Sequence, residues 1–340
     1  MVTGDRAALG VVGAGSFGTA LAALVGRAGH QVVLWSTTPE VVEEVNREHT
    51  NRGRLGDVVL PDAVRATSDP AELAERARLV VMAVSSVEAR DRARALGAVV
   101  DGRHMLVHAI GALAGPDVAR LSQVLHEETP ARRLGALAGP ALPADLVGGR
   151  FAAMVCASPF DEVTREARRL LNLPPAIRLY TSRDLPGVEL AASLSGAYTI
   201  AFGMADALGM GPGPRAVLVS RVVAEGQRLV AAIGGEARTF TGLAGLGNLL
   251  VRTSPGPDDR ASGYQFGRAL AQSEASGGPP PGGDGEREPE AVRAARVGVR
   301  LARRLGQRAP VLDAVARVID GHARPTQAAA ALSDTVAMAE

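Results

Sequence analysis

The chain has no lysine: all 37 of its Lys+Arg positions are arginine, although lysine is ordinarily among the commonest residues. That absence excludes chemistry built on an ε-ammonium with a tunable pKa. A guanidinium stays protonated to a pKa above about 12 and is a poor proton donor. Cysteine is almost missing too. Cys156 stands alone, so no intrachain disulfide is possible and a reducing cytoplasm is expected. Its apolar neighbours Ala153, Met154, Val155 and Ala157 read as a buried strand rather than a reactive-thiol site. Aromatic content of 3% disfavours base-stacking surfaces. With 36 acidic residues against 37 basic ones, the net charge of +1 gives no electrostatic case for nucleic acid or an anionic membrane. The histidines, His30, His49, His104, His108, His126 and His322, show no metal spacing.

What is present is apolar and periodic. Hydrophobic residues make up 46% of 340 positions, enough for real cores in two domains. The stretch Leu9 to Val25 could pass for a signal peptide or a membrane span. Gly10, Gly13, Gly15 and Gly18 at its start, with no basic run before them, fit a strand, a tight turn and a helix better. Ala8–Val12, Gln31–Trp35, Leu79–Val84, Met105–Ala109 and Ala152–Ala157 read as buried strands, with helices at Thr19–Ala28 and Thr38–Glu48. After Asp184 the pattern turns helical, over Gly187–Leu208, Arg215–Ile233 and Pro289–Leu305. Gln272–Glu288, rich in Gly and Pro, reads as a flexible insertion. The expected fold is α/β: a Rossmann-type doubly wound parallel sheet over residues 1–184, then an all-helical domain over residues 185–340.

Gly13-Ala14-Gly15-Ser16-Phe17-Gly18 closes the first strand and opens the first helix. In a dinucleotide fold the first glycine permits the tight turn, the second lets a pyrophosphate approach the backbone, and the third lets helix and strand pack closely. Free N–H groups at the helix start then face the phosphates. A structural turn would use the same glycines, but the strand before and the helix after agree with the fingerprint. The second strand ends Leu34-Trp35-Ser36-Thr37, without the acid that would grip a ribose hydroxyl. NAD(P) is the expected cofactor, with a lean toward NADPH; Ser36 and Thr37 could bond a 2′-phosphate, but no nearby arginine is fixed by the sequence.

GAGSFGTALA at Gly13–Ala22, LAGPALPADL at Leu137–Leu146, YTSRDLPGVEL at Tyr180–Leu190, TFTGLAGLGNL at Thr239–Leu249 and LARRLGQRAPVLDAV at Leu301–Val315 run in order along nearly the whole chain. In these segments the chain resembles the NAD(P)-dependent glycerol-3-phosphate dehydrogenases, which interconvert dihydroxyacetone phosphate and sn-glycerol 3-phosphate. The resemblance implies a small phosphorylated substrate and a homodimer. The departures fall where that family does its chemistry. Its lysine and asparagine after Leu190 are Ser195 and Gly196 here; its lysine before Gly111 is Ile110. Gly139 and Pro140 are kept, but Ala141 replaces a hydroxyl residue, and the family aspartate is Asn248. The family's Ser-Arg-Asn phosphate run becomes Ala261, Ser262 and Gly263. A late family glutamate has a counterpart in Glu290, which joins the cofactor-binding set.

Drift toward arginine explains Arg215 but not Ile110 or Ser195, neither of which keeps a cation. A positioned acid supplies about 10²–10⁴-fold in ketone reduction, so its loss raises the barrier by roughly 3–5 kcal/mol. Candidate substitutes are Tyr198 as proton donor with Ser195 as relay, and Arg252 or Arg260 as anion ligands beside Gly139 and Ser262. The alternatives are Tyr198 packed in a helix interface with its hydroxyl satisfied, and the arginines as exposed loop charges. Three readings stay open: the family reaction at reduced rate, a catalytically silent NAD(P)-binding paralogue acting as sensor or partner subunit, and a reductase of another substrate such as an imine that uses Tyr198.

Overall fold

Five consecutive buried residues, Ala8–Val12, form the first strand, β1. A run apolar on both faces suits the middle of a parallel sheet covered by helices on each side. Around it, β2 (Val32–Trp35), β3 (Val64–Thr67), β4 (Ala77–Met82), β5 (Met105–His108), β6 (Arg133–Ala138), β7 (Ala152–Ala157) and β8 (Ile177–Ser182) complete an eight-stranded sheet in the order β3-β2-β1-β4-β5-β6-β7-β8. All neighbours are parallel except β6 and β7. The connecting helices are α1 (Ser16–Arg27), α2 (Pro39–Glu48), α3 (Arg52–Leu55), α4 (Pro70–Arg76), α5 (Ala89–Gly97), α6 (Leu121–Glu128), α7 (Pro143–Val147) and α8 (Asp161–Leu171).

This computed structural model describes residues 8–114, 118–254, 262–278, 281 and 288–334. The chain divides into two units, Met1–Ile110 with Ala119–Leu185, and Gly111–Val118 with Pro186–Glu340. The first unit holds the sheet and is the Rossmann-like part expected from the strand–helix alternation. Its core joins Leu9 and Val11 of β1 to Leu21, Leu24 and Val25 of α1, and to Leu170 and Leu171 of α8.

The second unit is helical: α9 (Leu185–Ala207), α10 (Pro212–Ala232), a 3₁₀ turn at Ala237–Thr241, a π turn at Leu243–Gly247, α11 (Asn248–Thr253), α12 (Ser262–Ser276), α13 (Glu290–Arg304), α14 (Pro310–Ile319) and α15 (Pro325–Asp334). α9 is long and apolar enough to cross a membrane, but 94% of its most apolar window is buried within the protein. It packs closely on α12 through two glycines. A Cβ on Gly203 would lie 2.0 Å from the Tyr264 carbonyl, and one on Gly267 would lie 2.1 Å from the Ile200 carbonyl. No larger residue fits either position without moving a backbone.

Three strands escape the periodicity argument, and their sequences say why. β3 and β8 are the two sheet edges, where Arg65, Arg178 and Tyr180 face solvent and break the apolar run. β6 reads RLGALA, short of β-branched residues. The flexible insertion expected over Gln272–Glu288 is also corrected at its start. α12 continues through Ser276, because Gln272, Ser273, Glu274, Ala275 and Ser276 carry no helix breaker. Residues 279–280 and 282–287 of that segment lie outside the described residues.

Candidate active site

The glycine loop joins β1 to α1. Gly13 has φ +106°, and a Cβ there would lie 2.6 Å from the Ala83 carbonyl. A Cβ on Gly18 would lie 2.1 Å from the Gly13 carbonyl. Both positions therefore accept only glycine. Gly15 differs, since a Cβ there would meet nothing within 4 Å. It stands as the N-cap of α1 with its face open, the position where a pyrophosphate approaches the amides of the first turn. Beside it, Ser16 donates to the Arg54 carbonyl at 3.2 Å, and Phe17 packs on the core.

One support of this loop carried no signal in the sequence. Asn51, 1% exposed, donates from Nδ2 to the Ala14 carbonyl at 3.0 Å and to Thr19 Oγ1 at 2.9 Å. It ties the glycine turn to the body of α1 from a segment 37 residues away. At the end of β2, Trp35 is buried and its Nε1 donates to the Ser68 carbonyl at 3.2 Å. Ser36 Oγ accepts from the Thr38 amide at 3.2 Å, and Thr37 Oγ1 accepts from Arg92 Nη2 at 3.0 Å.

The second cluster is made of side chains. The π turn feeds directly into α11, so Asn248 opens that helix, 4% exposed, against the middle of α9. Asn248 Nδ2 lies 2.8 Å from Ser195 Oγ, and Asn248 Oδ1 lies 2.8 Å from Arg252 Nε. The direction of this chain is fixed by chemistry. A guanidinium only donates, so the Asn248 oxygen faces Arg252 and its NH₂ faces Ser195. Ser195 Oγ, fully buried, accepts there and donates its proton to the Ala192 carbonyl at 2.8 Å.

Two consequences follow. The Ser195 proton is committed to backbone, so the hydroxyl in this arrangement orders Asn248 rather than relaying a proton. Relative to the lysine and aspartate that the family resemblance implies at these two positions, Ser195 and Asn248 lack one positive and one negative charge together. That avoids an unpaired ion in a buried place, which is strongly destabilising. The cation left in the cluster is Arg252, partly exposed and with no carboxylate partner among the described residues. The side chain is half-buried, and burial of the guanidinium pulls its pKa below the ordinary arginine value. Nearby, the Gly111 carbonyl lies 3.7 Å from where a Cβ on Gly196 would stand. The loop after Ile110 thus comes to α9 beside Ser195.

The structure sends Tyr198 elsewhere. It is fully buried, donates its hydroxyl proton to Glu225 Oε1 at 2.9 Å, and meets Phe240 edge-on at 6.1 Å. Burial, and then the Glu225 carboxylate, push its pKa well above 10. Glu225, 1% exposed, also accepts from the Val311 and Leu312 amides at 2.8 and 3.1 Å, so it caps the start of α14. Sequence reasoning missed Glu225, because a lone glutamate in a helical run looks like a solvated charge. Asp206 is held by Arg268 at 2.6 Å.

Other expected site residues are dispersed. Gly139 has φ +142°, and a Cβ there would lie 2.7 Å from the Ala153 carbonyl, so the close approach to β7 alone demands glycine. Ala141 is buried in the core of the first unit. Ser262 is exposed at the first position of α12. Glu290 sits in the first turn of α13 and accepts from Arg293 at 2.6 Å. Arg260 lies outside the described residues.

A parallel sheet with a glycine turn open at one residue, joined in sequence to a helical unit, defines the class: a nicotinamide-dinucleotide oxidoreductase. Residues 8–164 match the family model for the NAD-dependent glycerol-3-phosphate dehydrogenase N-terminus, and residues 184–330 match the model for its C-terminus. The chain belongs to the NAD-dependent glycerol-3-phosphate dehydrogenase family. It is 37% identical over 312 residues to the glycerol-3-phosphate dehydrogenase [NAD(P)+] of Sinorhizobium fredii, covering 92% of this chain and 91% of that one. It is 33% identical to the enzyme of the same name from Corynebacterium urealyticum, covering 93% and 95%. The crystal structure of glycerol-3-phosphate dehydrogenase from Coxiella burnetii superposes with a TM-score of 0.86 at 26% identity, over 98% of this chain and 100% of that chain.

Proposed function

We propose that this chain catalyses the family reaction, NAD(P)-dependent interconversion of dihydroxyacetone phosphate and sn-glycerol 3-phosphate, at a rate lowered by the loss of its proton donor. The observation that carries this reading is the Arg252–Asn248–Ser195 chain. It keeps one oriented cation where the family's ammonium and carboxylate are gone. With Nε held by Asn248, the two Nη groups of Arg252 are left for a substrate oxygen, either the carbonyl or the phosphate.

When bound, the nicotinamide supplies hydride to the carbonyl carbon. Arg252 stabilises the negative charge that develops on oxygen, as a fixed donor does in an oxyanion hole. It does not deliver the proton, which comes from water. The missing acid lowers the rate by about 10²–10⁴-fold relative to a lysine-bearing site. The first unit holds the cofactor through Gly13, Gly15, Ser16 and Gly18, with NADPH the preferred form. The working protein is a cytoplasmic homodimer, for which light scattering would read the mass.

The test is NADPH oxidation with dihydroxyacetone phosphate, on the wild type and on Arg252→Ala. Slow, saturable turnover that falls at least about tenfold in the variant supports the proposal. A wild type that binds NADPH but turns over no faster than the no-enzyme control leaves the silent paralogue as the function. That second reading has its own support, because the protons of Ser195 and Tyr198 are both committed inside the protein. Reduction of an imine through Tyr198 would require its hydroxyl to leave Glu225.

A further inference from the structure

The end of β2 offers no carboxylate to a ribose, and no arginine follows it directly. The fold brings one from 55 residues away. Arg92, on α5, places Nη2 3.0 Å from Thr37 Oγ1 and its guanidinium carbon 6.0 Å from the centre of the Trp35 ring. We propose that Arg92 is the residue that reads the 2′-phosphate of NADPH, with the Thr37 and Ser36 hydroxyls as its companions. The proposal rests on the reading that this chain binds a nicotinamide dinucleotide, and it states which group selects between the two forms.

Three features support it. The platform is rigid, since Trp35 is 3% exposed and anchored through Nε1. A guanidinium over an indole face at this distance is attracted by the ring's negative face. Arg92 is also available. Its side chain is 27% exposed, and Glu88, one helical turn earlier, approaches only to 3.8 Å. An exposed pair of that kind contributes little, and Glu88 itself takes the Ser85 hydroxyl.

The donors also converge. Thr37 Oγ1 accepts from Arg92 and Ser36 Oγ accepts from the Thr38 amide, so each hydroxyl still has a proton to give. Arg92 commits one N–H to Thr37, and the rest of its fork matches a phosphate geometry. A dianionic phosphate would meet a cation and two hydroxyls. An unphosphorylated ribose would meet the same cation with no charge to offset it.

The test uses the full chain and calorimetric titration with NADPH, NADH, 2′,5′-ADP and 5′-ADP. The last two omit the nicotinamide and isolate this subsite. The wild type is expected to bind NADPH more tightly than NADH, and 2′,5′-ADP more tightly than 5′-ADP. Arg92→Ala should weaken NADPH and 2′,5′-ADP by about 10- to 100-fold, the range for a charge-assisted hydrogen bond. NADH should change by less than about twofold, which also shows that the variant is folded. Arg92→Lys, which keeps the charge and loses the fork, should fall between. Equal losses for NADPH and NADH in Arg92→Ala would overturn the proposal, as would a wild type that binds the two alike. A wild type that binds neither dinucleotide would overturn the cofactor reading beneath it.

Discussion

The glycine loop of the first unit and the Ser195–Asn248–Arg252 cluster of the second are built from different materials. The loop is backbone. Its work is done by amides, by the absence of Cβ atoms at Gly13 and Gly18, and by the open face at Gly15. The cluster is side chain, and each member can be exchanged for another that satisfies the same neighbours. In this protein the backbone site keeps the family pattern and the side-chain site does not. A glycine at φ +106°, or one whose Cβ would stand 2.1 Å from a carbonyl, has no substitute. A buried lysine–aspartate pair does have one, a neutral hydrogen-bonded pair such as Ser195 and Asn248.

The sharpest way to break this contrast is to damage a side-chain network that has no exchange available. Glu225→Ala strips partners from the Tyr198 hydroxyl and the Val311 and Leu312 amides at once. At about 1–3 kcal/mol for each of these unsatisfied buried groups, urea unfolding should show a loss of at least about 3 kcal/mol. The same residue sets a pH dependence. Burial raises the Glu225 carboxyl above its ordinary 4.5, so the folded state keeps this proton to higher pH than the unfolded chain. Its contribution is fully present below 4.5 and declines as pH rises through the folded value. Glu225→Gln should flatten that slope in denaturation curves taken across the window.

The backbone site should fail next. Gly18→Ala forces a methyl group against the Gly13 carbonyl. Thermal unfolding should report a loss of about 1–3 kcal/mol, and titration with NADPH a loss of most of its affinity. Asn51→Ala, which only releases the Ala14 carbonyl and Thr19, should cost about 1–2 kcal/mol and weaken the cofactor by several-fold. Mildest in shape is Asn248→Asp. It gives Arg252 a carboxylate one helical turn away and so ties up the cation. The buried carboxylate can no longer donate to Ser195, so stability should fall by about 1–2 kcal/mol, while KM for dihydroxyacetone phosphate rises. A lowered KM would show that the Arg252 charge is not what the substrate meets.

Much of the first unit was legible because its rules are local. Four strands, with Ala152–Ala157 as a further candidate, were marked by buried apolar runs, and the cofactor turn by glycines at fixed spacing. The strands that were missed are the two edges, where solvent-facing Arg65, Arg178 and Tyr180 dilute the pattern, and β6, whose glycine and alanines carry little strand preference. In the second unit the helices were legible but their partners were not. Helical spacing put Tyr198 and Ser195 on one face, but it could not say that Tyr198 would meet Glu225 27 residues on, or that Ser195 would meet Asn248 53 residues on.

The sequence by itself determined the family, the strand–helix order and the backbone cradle, because φ angles, hydrophobic period and the lack of a Cβ belong to single residues and their near neighbours. It also determined that no lysine ε-ammonium is available anywhere in the chain. Only the tertiary structure decided where the remaining cations and protons go. It set Arg92 over Trp35, turned the Asn248 amide toward Ser195, and gave the Tyr198 proton to Glu225. Hydrogen-bond direction and charge pairing depend on which groups meet across long stretches of chain, and packing alone sets those meetings.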